Sequence, residues 1–149
     1  MKTLKAITVG IILLFTGTMN AQDLKKTDVP QSFTKSLLEV YPEAKDIIWE
    51  RSNEDYKVKF KNNLLEHKIY FNKQGDRVKV EAEIVKANLP KPLVEALKRD
   101  YSDYRIDSAK SMFQNGVTTY EVEVSKSGWT EEIELTYSEA GTVLDIDRG

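Results

Sequence analysis

Four glutamates, Glu121, Glu123, Glu132 and Glu134, come nearest in this sequence to a spacing with chemical consequence. Glu121 and Glu123 alternate with Tyr120, Val122 and Val124, and Glu132 and Glu134 alternate with Ile133 and Leu135. Period-two alternation puts one set of side chains on a core and the other in water. With Ser127-Gly128 as a two-residue turn, Val122 faces Ile133 and Tyr120 faces Leu135 on the core side. On the other side Glu123 then faces Glu132 and Glu121 faces Glu134. The corresponding pairs earlier in the chain are Lys59 with Glu66 and Lys57 with Lys68. Opposed like charges weaken a sheet, so the four carboxylates read either as a solvated face or as a docking surface for a basic partner or a cation.

Other chemistries lack their parts. A general acid and base pair needs a pocket that drives two carboxyl pKa values apart, and no stretch encloses one. Ser32, Ser36, Ser108 and Ser111 have no histidine base in a recognisable motif, and seven glycines are too sparse for a nucleotide loop. The single histidine, His67, is placed inward between Val58 and Ala82, neither of which ligates metal, so it reads as packed. Trp49, opposite Val58, reads as core. The sequence therefore supplies no catalytic, cofactor-binding or metal-binding set, and it predicts a non-enzyme.

What positions the glutamates begins after an apparent leader. Lys2 and Lys5 precede an uncharged run from Ala6 to Met19 that is too short to span a bilayer and ends at Asn20-Ala21-Gln22, which predicts a signal peptide over 1–21 cleaved after Ala21. The chain has no cysteine, so disulfides and thiol chemistry are excluded. Loss of Lys2 and Lys5 takes the formal net charge from −2 to −4, a poor match for nucleic acid, and no membrane span is read after the leader. Charge is shared unevenly: residues 22–86 carry 13 basic and 12 acidic side chains, residues 87–149 carry 7 and 12.

The mature chain reads as two copies of one programme, over 22–86 and 87–149. Asp28-Val29-Pro30-Gln31 opens a helix with a cap and capping-box glutamine, and Val29, Phe33, Leu37 and Tyr41 form its apolar stripe, widened by Val40. Strand-like runs follow at Asp46–Arg51, Tyr56–Lys61, Leu64–Asn72 and Arg77–Val85. An Asn62-Asn63 turn sets Phe60 opposite Leu65 and Val58 opposite His67, and the loop at 73–76 sets Phe71 opposite Val78 and Ile69 opposite Val80. Asn88-Leu89-Pro90 restarts the pattern with the stripe Leu89, Leu93, Leu97, Tyr101, then runs at Arg105–Gln114, Val117–Lys126, Trp129–Ser138 and Val143–Asp147. The run at 105–114 fits no clean alternation. The predicted class is α+β: two repeats of one helix and a four-stranded antiparallel meander, helices on one face. A four-stranded sheet with one helix is a thin core, so the repeats should join into one larger sheet or pack closely.

In these features the chain resembles the PepSY-like, β-lactamase-inhibitor-like family of exported bacterial proteins. The resemblance rests on the leader, the helix openings Val29-Pro30 and Leu89-Pro90, Trp49, the Tyr56 and Tyr120 strands, and the hairpins Phe71-Asn72-Lys73-Gln74-Gly75 and Tyr137-Ser138-Glu139-Ala140-Gly141. It implies a periplasmic or secreted non-enzyme whose sheet or hairpin surface holds a protein partner, as an inhibitor-like or envelope-accessory module. The family pattern carries no catalytic residues, and Ala109 stands where the second copy would repeat the tryptophan. The alternative is a small-ligand or cation-binding protein using the cleft between the repeats.

Overall fold

The computed structural model describes residues 22–23, 29–52, 55–128 and 132–149. The leader, its cleavage site and the Asp28 cap lie outside the described residues. The elements run β1 (Gln22–Asp23), α1 (Gln31–Val40), β2 (Lys45–Ser52), β3 (Asp55–Asn62), β4 (Leu65–Phe71), β5 (Arg77–Glu83), a 3-10 turn (Lys86–Asn88), α2 (Lys91–Asp100), β6 (Tyr104–Gln114), β7 (Val117–Lys126), β8 (Glu132–Ser138) and β9 (Val143–Arg148). All strands are antiparallel and lie in sequence order in one sheet, eight of full length with the two-residue β1 at the edge.

The expected α+β class of two helix-plus-meander repeats is therefore corrected. The protein is mostly β, one continuous antiparallel sheet with two ten-residue helices. The reason lies in the middle of the chain, where β5 pairs directly with β6 from Lys79↔Gln114 to Glu83↔Lys110. An open β5 would leave a row of backbone groups unpaired; pairing it with β6 satisfies them and removes two edges.

Both helices begin after a proline in extended conformation, Pro30 and Pro90, with no side-chain cap bond. Each lays its stripe on the same sheet face. Val29, Phe33 and Leu37 join Trp49, Val58, Phe60, Ile69 and Phe71 in one buried cluster. Leu89, Leu93, Ala96 and Leu97 join Ala109, Val122, Val124, Ile133, Leu135 and Tyr137 in the other. The expected stripes are thus buried, except that Val40 is half exposed and Tyr41 and Tyr101 are only partly covered.

Two hairpins pair two residues away from the expected register. The first turns at Asn63-Leu64, both with positive φ, so Phe60 faces His67, Val58 faces Ile69, Lys59 faces Lys68 and Lys61 faces Glu66. The second pairs Ser125 with Glu132, so Val124 faces Ile133 and Val122 faces Leu135. A shift of two keeps every side chain on its face, and the inward set survives. The pairs Ile69↔Val80 and His67↔Ala82 stand as expected, whereas an extra residue in β5 brings Arg77 rather than Val78 opposite Phe71.

Candidate binding face

The helices cover one face of the sheet, so the outward side chains of β2 to β9 form an open face. On its C-terminal half the ladder places Glu123 opposite Glu134, and Glu134 opposite Asp147. Three carboxylates thus lie in one row across β7, β8 and β9. Glu121 is one outward position along β7, opposite Thr136. The two like-charge pairs expected of the four glutamates reduce to one, Glu123 with Glu134. Glu132 faces Ser125 at the end of the ladder and takes no part in an opposed pair.

Two groups from β6 moderate this row. Lys110 Nζ donates to Glu121 Oε1 at 2.7 Å, and Ser108 Oγ donates to Glu123 Oε2 at 2.8 Å. Both contacts were missed because the sequence left the register of β6 open. Asp147 was missed too, although Asp145 and Asp147 alternate with Leu144 and Ile146 and so share an outward face. Burial, then the charges of Glu121, Asp147 and Glu123, push the Glu134 carboxyl above its ordinary value against the pull of Lys110. The Lys110 ammonium is in turn raised, chiefly by its hydrogen bond to Glu121.

The N-terminal half of the same face is built differently. Its outward lysines are matched: Lys57 and Lys59 both pair with Glu50, the latter at 2.6 Å, Lys61 lies 3.4 Å from Asp46, and Lys79 lies 2.5 Å from Glu81. Glu50 is only 5% exposed. Burial raises its carboxyl pKa, but the hydrogen bonds and charges of Lys57 and Lys59 outweigh that and hold it below the ordinary value. Net negative charge on the open face is therefore concentrated on β7 to β9.

His67 stacks on Phe60 at 5.1 Å between centroids and lies 5.5 Å from Tyr41, and burial lowers its pKa against the pull of Glu83 and Glu66. Its neighbours across the ladder are Phe60 and Ala82, not Val58. Trp49 faces Val58 and is buried. Among the described residues no group of three or more His, Asp or Glu side chains is arranged to hold a metal ion. Ser108 and Ser111 bond Glu123 and the Ala82 carbonyl. The cleft expected between the two halves is closed by the β5–β6 ladder; across that junction lie a depression of about 120 Å³ lined by Glu66, Lys68, Glu81, Ala82, Glu83 and Lys110 and another of about 110 Å³ reaching from Lys68 and Glu81 to Glu121 and Thr136. Pockets for small molecules span roughly 300–1,000 Å³. A wider groove of about 1110 Å³ lies elsewhere, between α1 and β2.

Residues 18–76 and 54–145 both match the family described as "Putative beta-lactamase-inhibitor-like, PepSY-like". The chain belongs to this PepSY-like family. Solved structures agree on the fold: a BLIP-like protein from Bacteroides fragilis (22% identical, TM-score 0.63, covering 80% of this chain and 85% of that one), a DUF2874 family protein from Bacteroides uniformis (17%, 0.66, 80% and 89%) and a chain described as "putative periplasmic proteins" from Bacteroides eggerthii (18%, 0.67, 80% and 88%). At these identities the likeness is one of fold. No protein with a curated description matches the sequence. Among the described residues no helix is long and apolar enough to cross a membrane.

Proposed function

We propose that this PepSY-like protein is an exported, non-enzymatic binding module that holds a protein partner on the open sheet face, with the partner's basic side chains over Glu121, Glu123 and Glu134. The observation that carries the reading is the row Glu123–Glu134–Asp147, in which like charges face one another across two successive strand pairs. Such pairs oppose folding, and a basic partner offsets the repulsion. Glu132 lies at the rim of the patch and contributes long-range attraction only. Export is supported by the leader-like residues 1–21 and by the periplasmic description of the Bacteroides eggerthii chain. The inhibitor-like character is supported by the family description and the BLIP-like fold.

The test is affinity capture from an envelope fraction on the mature chain, run beside Glu121→Lys with Glu134→Lys. A stoichiometric basic partner retained by the native chain and lost by the variant is the expected result. Equal capture by both moves the binding surface elsewhere. The rival, a cation site, is checked by thermal shift with calcium alone, where a saturable stabilisation lost in the same variant would replace the protein-partner reading.

A further inference from the structure

We infer that the free edge of β9 is itself a docking site, for an extended segment of a partner that alternates lysine or arginine with apolar residues and adds one strand to the sheet. The inference rests on the acidic-face reading above and names how that partner is held.

Among the described residues β9 is the last strand of the sheet and pairs with β8 on one side only. In an antiparallel ladder alternate residues direct N–H and C=O away from their partner, so the outer side of β9 is an unfilled hydrogen-bonding template. The opposite edge is blunted. There β1 covers Glu50 and Arg51, the register breaks between Lys45 and Ile48, and Asp46 sits at φ 53; bulges and twisted backbone of this kind discourage strand addition. In β9 the only break is at its start, opposite Thr136/Tyr137, and pairing from Asp145 to Arg148 is regular.

The side chains of β9 select the occupant. Ile146 lies opposite Leu135 on the helix-covered face yet is 45% exposed, and Leu144 is 54% exposed. Asp145 and Asp147 lie on the open face, where Asp147 continues the row from Glu123 and Glu134. A second copy of this chain is a poor occupant: pairing β9 with itself antiparallel, open faces aligned, sets Asp145 or Asp147 against an aspartate in each register centred on 145, 146 or 147, and like charges directly opposite are unfavourable. A strand with alternating basic residues turns each of these contacts into an attraction, while its apolar residues cover Ile146 and Leu144. The same charges thus exclude self-association and admit a basic strand, the mode of recognition in which backbone bonds give affinity and alternate side chains give specificity.

The probe is a capped eight-residue peptide alternating lysine and valine, titrated calorimetrically into the mature chain at low salt. Two versions carry N-methyl groups on alternate backbone amides, one set or the other. Strand addition uses the amides of one set only, so one methylated peptide should bind like the parent and the other roughly a hundredfold more weakly, through loss of about three backbone hydrogen bonds. Asp145→Lys with Asp147→Lys, shown by circular dichroism to keep the sheet, should lose the lysine peptide and bind its glutamate counterpart. If both methylated peptides match the parent, the peptide binds only as a string of charges; the edge inference fails and the acidic-face reading stands. If no lysine peptide binds, both fail.

Discussion

The two halves of the sheet solve one packing problem with different side chains. In the N-terminal half α1 packs through Phe33, which contacts Tyr56 edge-on at 5.1 Å, stacks on Phe71 at 5.6 Å and lies 6.4 Å from Trp49. In the C-terminal half the fully buried Leu93 rests on Val122, Ile133, Leu135 and Tyr137. The exchange is sharpest where Trp49 faces Val58 and Ala109 faces Val122. β2 is nearly an edge, and a large ring there closes the core where little backbone lies beyond. β6 is central: Ile84 N–H donates to the Ala109 carbonyl at 3.0 Å, and the Ile84 side chain packs on the same cluster. The lesson is that position in the sheet, edge or centre, sets residue size where the alternation is otherwise the same. Phe33→Ala should cost about 3–5 kcal/mol and Leu93→Ala about 2–5 kcal/mol in chemical denaturation. Ala109→Trp should overpack and cost about 1–3 kcal/mol or more; a neutral outcome would break the edge-versus-centre account.

Each helix also meets a hairpin glycine. A Cβ on Gly75, at φ +92, would come within 2.6 Å of the Phe33 ring, whereas one on Gly141, at φ +80, would come within 2.5 Å of the Pro92 carbonyl oxygen. The left-handed conformation costs either alanine roughly 1–2 kcal/mol. A ring can tilt, but the backbone at the start of α2 cannot withdraw without moving the helix. Gly141→Ala should therefore be the worse, by about 1–3 kcal/mol of added overpacking, and thermal melts of the two variants rank them. The reverse order would mean that the aromatic cluster is the more rigid.

The faces of these strands were legible in the sequence because burial on one side forces alternation, and errors of two residues leave alternation intact. Registers were less legible. Nothing in its residue type marks Leu64 for φ 67, yet it takes that turn position with its side chain 92% exposed. In β6 the pairs Ile106↔Val124 and Ala109↔Val122 are both on the core side although three residues separate them, because the bulge at Asp107 inserts one residue; that is why 105–114 fitted no alternation. The joining of the halves was one of two arrangements that a thin core allows, and only the β5–β6 ladder decides between them. Three of the four glutamates do gather, but Asp147, Lys110 and Ser108 reach the patch from neighbouring strands, and strand order cannot be read from spacing within one hairpin.

The open face offers a smaller contrast. Glu50→Gln removes the buried carboxylate that Lys57 and Lys59 share and should cost roughly 1–3 kcal/mol. Its pH dependence has a definite sign. Because the folded-state pKa lies below the ordinary 4.5, the carboxylate's contribution is complete above that value and is lost as pH falls through the depressed one. The melting-temperature gap between native chain and variant should therefore be wide at pH 7 and close in acid. A gap independent of pH would mean that Glu50 acts through packing rather than charge.

The smallest effect expected is at the acidic row, and it runs in the opposite direction. Glu134 has a folded-state pKa raised above 4.5, so its ionised form is penalised in the folded chain; stability falls as pH rises from the ordinary value through the raised one, and the penalty is complete above it. Glu123→Gln with Glu134→Gln removes the opposed pair and should raise the melting temperature at neutral pH and low salt. The residues are near the surface, so solvent limits the gain to a few tenths of a kcal/mol, about 1 kcal/mol at most. It should shrink as added salt shortens the Debye length to about 8 Å, and should diminish in acid as the Glu134 carboxyl, with its raised pKa, takes up its proton. Loss of stability instead would show that the hydrogen bond from Ser108 to Glu123 outweighs the repulsion. In that case the row would be internally satisfied, with no unmet demand for positive charge, and the open face would have lost its reason to bind a basic partner.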